Sequence, residues 1–316
     1  MKMILPPTEK RIYALQALKA VASASGEIHD NQSKMLQMAI DVMQVDTTID
    51  ALEPIEPATL AEHIVGEDLR LALLQRLVIM TILDGEVVSA EIDTLETFAA
   101  ALAIEDKIVR NMRQLVDGHY KRMAFDLARR SFAKKHMGNV WSEQGLKGIL
   151  KIVKSGMGIS DAKQLERFKA LGDLGEETLG YHLYKEFVDN GFPFPGEKGG
   201  MPDNMLFHDV SHIISGYGND PKGEMLVSAF QAGYMGEDGM VMIIMISFLF
   251  QLGIEPIAKA RGVDPTKNML EIESYSKAYM RGKSLNTNLM NWDPWPHMER
   301  PVEELRAELG LVDAPA

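Results

Sequence analysis

His208, Asp209 and His212 stand in one five-residue stretch, and Glu224 follows after eleven intervening residues. Imidazole nitrogens and carboxylate oxygens are ligands for zinc, iron or manganese, so these four side chains have the types that a divalent-metal site requires. On a helix turning about 100° per residue, His208, Asp209 and His212 fall at roughly 0°, 100° and 40°, inside one sector. A helix over 204–215 is predicted to carry them. The row Gly216 to Gly223 then supplies a Gly/Asn-rich turn, with Asp220-Pro221 as N-cap and first residue of a second helix. Glu224 falls in that helix's first turn, and an antiparallel return brings it back toward the histidines. The competing reading is purely structural: an acidic residue in a first helical turn is favoured by the helix dipole alone, and either histidine has a place as an ordinary partly buried residue.

The pattern shares its two histidines with the His-Glu-x-x-His helix of metallopeptidases, but Asp209 is one methylene shorter than the general base used there. Asp209 is better placed to ligate than to reach for a water.

The elements that must position these residues are helices. Tyr13, Leu15, Leu18, Val21 and Ala22 form one stripe of helical period, and Leu71, Leu74, Leu77, Val78 and Ile82 form another. No run alternates as a strand does, so the fold class expected is all-α. The two segments also repeat one another: Ala24-Ser25-Gly26-Glu27-Ile28 aligns with Leu83-Asp84-Gly85-Glu86-Val87. Each copy reads helix, glycine turn, helix, with the acidic residue after the glycine expected to begin the second helix. A single hairpin cannot bury its own apolar face, so the copies are expected to pair.

The chain has 316 residues, 46% of them hydrophobic and 25% charged, which is globular composition with room for two cores. Its net charge of −12 argues against nucleic-acid binding and against broad contact with anionic lipid. With no cysteine, thiolate metal sites and disulfides are excluded, and metal ligands must be His, Asp or Glu. The first residues, Met1 to Pro7, make too short an apolar stretch for a secretory signal. The longest apolar run, Met240 to Leu252, is roughly 20 Å long as a helix against a hydrocarbon core of about 30 Å. The protein is therefore expected in the cytoplasm with no transmembrane segment, in a form compatible with peripheral contact on the inner membrane face and with a homodimer.

The duplicated Gly-Glu turns, with Asp84-Gly85-Glu86 and Glu91 in the second copy, resemble the TerB-like domain of tellurite-resistance proteins over about residues 8–132. That resemblance implies a sensing or partner-docking module whose acidic residues Glu27, Asp30, Asp84, Glu86 and Glu91 form a second acidic site for metal or a partner. Helix capping is the alternative for each of them. Residues 133–164, rich in scattered glycine, are expected to be a linker.

Beyond it, Thr178-Leu179-Gly180, Asn190-Gly191-Phe192, His208-Asp209-x-x-His212 with Glu224, and Pro301-Val302-Glu303-Glu304-Leu305-Arg306 together resemble the coenzyme Q (ubiquinone) biosynthesis Coq-four family over about residues 165–313. The resemblance implies a helical bundle with a divalent metal on His208, Asp209, His212 and Glu224, and an apolar cavity for a polyprenyl chain. It also implies action on a prenylated benzoate precursor of ubiquinone, with oxidative replacement of the ring carboxyl by hydroxyl, or a role in organising the other biosynthetic proteins. The added N-terminal domain and the Asp203 to Phe207 segment before the first histidine depart from better-known members and point to a bacterial relative. Zinc is the first expectation for the ion, with iron, manganese or magnesium as alternatives.

Met242, Ile243, Ile246 and Phe250, on a helix apolar all round, are the residues expected to line a cavity for a prenylated quinone precursor or another isoprenoid lipid, unless they are plain core. Trp292-Asp293-Pro294-Trp295-Pro296 reads as a packed cap. No phosphate-cradling loop and no nucleophile elbow occurs. Three function classes follow: a metal-dependent decarboxylase or hydroxylase, a non-catalytic prenyl-lipid-binding or scaffold protein with a structural metal, and a hydrolase using metal-bound water. The last lacks an evident separate general base.

Overall fold

The apolar stripes become helices throughout the computed structural model, which describes residues 4–123, 126, 161–198, 200, 205–236, 239–255 and 264–311. Among the described residues there is no strand, and the fold is all-α. An isolated antiparallel bridge joins Thr178 and Pro301.

The chain divides into two compact units, one of Met1–Leu127 with Gly236–Ser276, the other of Ala128–Met235 with Lys277–Ala316. This differs from the expected division into 8–132 and 165–313 in one segment, because 236–276 returns to the first unit. The reason is visible at the second glycine turn. Gln251 Nε2 donates to the Leu83 carbonyl at 2.8 Å, and Asn268 lies so close to Gly85 that a Cβ there would fall 1.8 Å from its Oδ1. The expected linker lies outside the described residues over 133–160. Its last residues are helix instead: Ala162–Lys169 begins behind Asp161, whose side chain accepts from Gln164 N.

In the first unit the duplicated hairpins take form as Arg11–Ala22 with Asp30–Met43, and Glu67–Met80 with Ser89–Ala101. Gly26 and Gly85 sit at φ +107° and +80°, backbone that favours glycine at both turns. The following helices start later than expected, at Asp30 and Ser89 rather than at Glu27 and Glu86. His29 and Val88 hold extended backbone and delay the helical turn. Arg11–Ala22 packs on both Asp30–Met43 and Glu67–Met80, so the copies share one core. Gln32 ties them together, donating to the Met80 carbonyl and to Glu91 Oε1. The apolar helix Gly239–Phe250 buries residues on every side, as a core helix does.

In the second unit Leu179–Asn190 starts at Thr178, whose side chain accepts from Tyr181 N, and ends at Gly191 with φ +65°. Its stripe of Leu179, Leu183 and Phe187 is buried. Leu206–Ser215 packs against this helix, against Pro221–Met235 and against Val302–Glu308. The tryptophan segment is a packed cap: Trp295 meets Phe168 edge-on at 5.1 Å and carries the Arg167 guanidinium at 3.4 Å from its ring centre. Among the described residues no helix is long and apolar enough to cross a membrane.

Candidate metal centre

Leu206–Ser215 is held by its apolar face, where Leu206, Phe207, Val210 and Ile214 are buried. Its last carbonyls lack partners within the helix, and two arginines supply them. Arg306 donates from Nη2 to the Ile213 carbonyl and from Nε to the Ile214 carbonyl, each at 2.9 Å. Arg281 donates to the Ser215 carbonyl at 3.1 Å. Gly216 then reverses the chain at φ +77°. Asp220 Oδ1 accepts from the backbone N–H of Lys222 and Gly223, as the Asp-Pro pair predicts, and opens Pro221–Met235. A Cβ on Gly223 would fall 2.0 Å from the Gly218 carbonyl oxygen, so glycine there lets the new helix start against the turn and swings Glu224 back to the histidines.

The donors converge. His208 Nε2 and His212 Nε2 are 3.4 Å apart. Glu224 places Oε2 3.6 Å from the first and Oε1 3.5 Å from the second. A tetrahedron with metal–ligand bonds of about 2.1 Å has edges of about 3.4 Å, close to the separation of the two imidazole nitrogens, and the three residues could hold one divalent ion. The outward nitrogens are also oriented. His212 Nδ1 lies 3.1 Å from the Tyr217 carbonyl oxygen, an acceptor only, which puts a proton on Nδ1 and turns Nε2 into the site. His208 Nδ1 lies 3.0 Å from Gln231 Nε2. A divalent ion held here by three protein residues would have room for a water or substrate ligand.

Burial and mutual charge set the protonation. Desolvation, helped by His212, holds His208 down to about 4. Burial opposes charge on His212 too, but the Glu224 hydrogen bond and the carboxylates of Glu224 and Glu186 outweigh it and raise His212 to about 9. Burial and the Glu186 charge push Asp209 up to about 8. Glu186, on Leu179–Asn190, is itself raised by burial. His212 and Glu186 line an open cleft of ≈ 530 Å³ with Tyr217, Asn219, Lys185 and Arg306.

The structure brings together three of the four predicted ligands. Among the described residues, His208, His212 and Glu224 are the group whose donor atoms all lie within 4.8 Å of one another, and Asp209 is not in it. Asp209 projects about 100° round the helix from His208, and its carboxyl is buried within reach of the charges of Glu186, His212 and Glu224. Of the predicted acidic residues, Glu27, Asp30 and Glu86 are exposed. The Asp84 carboxylate lies 3.6 Å from His29 Nε2 and accepts from the Glu86 N–H within the glycine turn, ahead of the helix that starts at Ser89. Glu91 is fully buried on Gln32. Met242, Ile243, Ile246 and Phe250 are buried in the first unit, whereas the metal donors belong to the second. His182 is exposed on the wall of the cleft.

Four residues of this centre escaped the sequence reading: Glu186, Gln231, Arg281 and Arg306 in its positioning role. Only Gln231 left a trace there, since it stands seven residues after Glu224 and so on the same helix face. No protein-family model and no curated protein matches the chain.

Proposed function

We propose that the chain is a divalent-metal protein of ubiquinone-type quinone biosynthesis, acting through His208, His212 and Glu224 on a polyprenylated benzoate precursor. The observation that carries the metal part of this reading is the convergence of those three side chains at 3.4–3.6 Å. The quinone part is supported by the resemblance of the ligand spacing and its flanking segments to the Coq-four family. A bound ion supplies Lewis-acid polarisation of a substrate oxygen. The chain's own groups hold and orient it: Tyr217 and Gln231 set the two imidazoles, Arg306 and Arg281 fix the helix that carries them, and the cleft at His212 gives access. Glu186, raised by burial and beside that cleft, is placed to hold a proton near the open face.

The test is metal analysis of the purified full-length chain combined with organic extraction and mass spectrometry of bound lipid. A stoichiometric divalent ion with a prenylated ring compound supports the reading. Zinc with prenyl lipid and no turnover of the benzoate precursor favours a non-catalytic carrier or scaffold. Metal with no isoprenoid and no effect on a prenylated benzoate removes the quinone assignment while leaving the metal site intact.

A further inference from the structure

We infer that Gln231 is a positioning residue that selects which nitrogen of His208 carries the proton, by turning its side-chain amide between two orientations. The inference rests on the metal reading of His208, His212 and Glu224. It begins from an asymmetry between the two histidines. His212 Nδ1 faces a backbone carbonyl, which accepts only, so its tautomer is locked. His208 Nδ1 faces an amide, which has a donor end and an acceptor end.

As the amide stands, Gln231 Nε2 donates to His208 Nδ1 at 3.0 Å. That leaves the His208 proton on Nε2, directed at the Glu224 carboxylate 3.6 Å away. This tautomer suits the site without an ion and cannot ligate through Nε2. To ligate, His208 must carry its proton on Nδ1, and that N–H then needs an acceptor. Gln231 Oε1 is the available one. It is buried and has no hydrogen-bond partner, on a side chain that is itself 0% exposed. Turning the amide by half a revolution puts Oε1 opposite Nδ1 without breaking any hydrogen bond that Oε1 makes.

The neighbouring hydroxyls can serve either orientation of the amide. Ser211 donates to the Phe207 carbonyl at 2.6 Å. Its single proton being used, it accepts from the Tyr234 hydroxyl at 2.9 Å. Tyr234 also bonds the Gln231 amide, and its hydroxyl both donates and accepts, so either end of the amide finds a partner there. Burial holds the Tyr234 phenol well above its ordinary range, so it stays a hydroxyl.

The experiment titrates full-length protein with Co²⁺, read by its visible absorption, for wild type, Gln231→Met and Gln231→Glu, with helicity measured alongside. Gln231→Met, of similar shape but without the amide, is expected to bind more weakly by roughly 10–100-fold, the usual cost of losing an outer-shell partner. Gln231→Glu, which accepts only, is expected to bind at least as tightly as wild type. Equal affinity of wild type and Gln231→Met, or equal weakness of both variants, overturns the role of Gln231. A wild-type chain that gives no Co²⁺ spectrum overturns the metal reading instead, and this inference with it. If Gln231→Met does not fold, ring ¹⁵N shifts of His208 in Zn²⁺-loaded wild type decide: a protonated Nδ1 is expected, and a protonated Nε2 overturns the proposal.

Discussion

Nε2 of His208 lies 3.4 Å from Nε2 of His212, with one oxygen of Glu224 facing each ring. Two imidazole nitrogens and an anion share this small volume, so positive charge among them is stabilising. The Glu224 carboxylate favours a proton on His212, and a divalent ion supplies more of that charge. Proton and metal therefore compete for one place.

Removal of one ligand tests the centre directly. His212→Ala deletes a locked imidazole and is expected to lower metal affinity by more than about 100-fold, beyond the usual outer-shell cost. Glu224→Gln keeps an oxygen but loses the charge, and its effect is expected to be milder. His182→Ala, on the exposed wall of the cleft, is expected to keep its ion. Metal content of the three folded variants, by mass spectrometry, decides; loss in His182→Ala with retention in His212→Ala would place the ion elsewhere.

The competition between proton and metal fixes a pH dependence. His212 is raised from 6.5 to about 9 in the fold, so its stabilising contribution is full below 6.5 and disappears as pH rises through 9. Asp209, raised from 3.8 to about 8, acts in the same direction up to that pH. His208 is lowered from 6.5 to about 4, so its contribution is complete above 6.5 and drops out of the upper window. The metal-free protein is expected to melt at lower temperature as pH rises from 6.5 to 9. Metal affinity is expected to strengthen over the same interval, because the proton on His212 leaves as the ion binds. Calorimetry in two buffers of different ionisation enthalpy reads that released proton, and an affinity independent of pH would sink the argument.

The sequence made the local parts of this molecule legible and left the long-range parts hidden, for a physical reason. Spacing along one helix is a local property, so His208 and His212 on one face, the Asp220-Pro221 start and Glu224 in the next first turn could all be read from residue order. The duplicated glycine turns were legible because positive φ selects glycine. Asp209 stands outside the converging group of three, about 100° from His208 on the helix. Glu186, Arg281 and Arg306 reach the centre through tertiary packing alone, which no periodicity encodes. The same holds for Gly239–Phe250, whose apolar circumference announced burial without saying in which unit.

Arg306 caps the ligand-bearing helix with two hydrogen bonds to its last carbonyls. Charge-assisted bonds of this kind contribute about 2 kcal/mol when removal leaves the partner buried. Arg306→Ala is expected to destabilise the second unit by about that amount and to weaken metal binding by loosening His212. Arg306→Lys offers only a point charge in place of the fork and is expected to recover part of the loss. Chemical denaturation followed by metal titration measures both; an Arg306→Ala protein of unchanged stability would show that the helix end needs no cap.

Gly282, on Ile272–Ser284, touches the backbone of Pro221–Met235, where a Cβ would fall 1.9 Å from the Phe230 carbonyl oxygen. In an open helix, replacing glycine by alanine stabilises by about 0.5–1 kcal/mol. Here the sign is expected to reverse, since the added methyl must push the two helices apart. Thermal unfolding of Gly282→Ala gives the sign, and a higher melting temperature would show that the helices separate freely.

The last prediction concerns the first unit, where Glu91 is fully buried with Oε1 accepting from Gln32 and Oε2 without a partner. Burial is the main cause that raises it from 4.5 to about 7, with Asp84 adding to the effect and the Gln32 hydrogen bond opposing it. A raised carboxyl is harmless while protonated, so its contribution is full below 4.5 and is lost as pH rises through 7. Glu91→Gln keeps the shape and cannot ionise, so the variant is expected to lose less stability than wild type between pH 5 and pH 8. At pH 5 the comparison is expected to favour wild type, because the new amide N–H₂ stands where Oε2 found no partner. Melting curves of both proteins at the two pH values give the difference, in which every titration common to both cancels. Parallel loss in the two proteins would mean that Glu91 ionises in the fold at its ordinary pH, and that an unseen partner reaches Oε2.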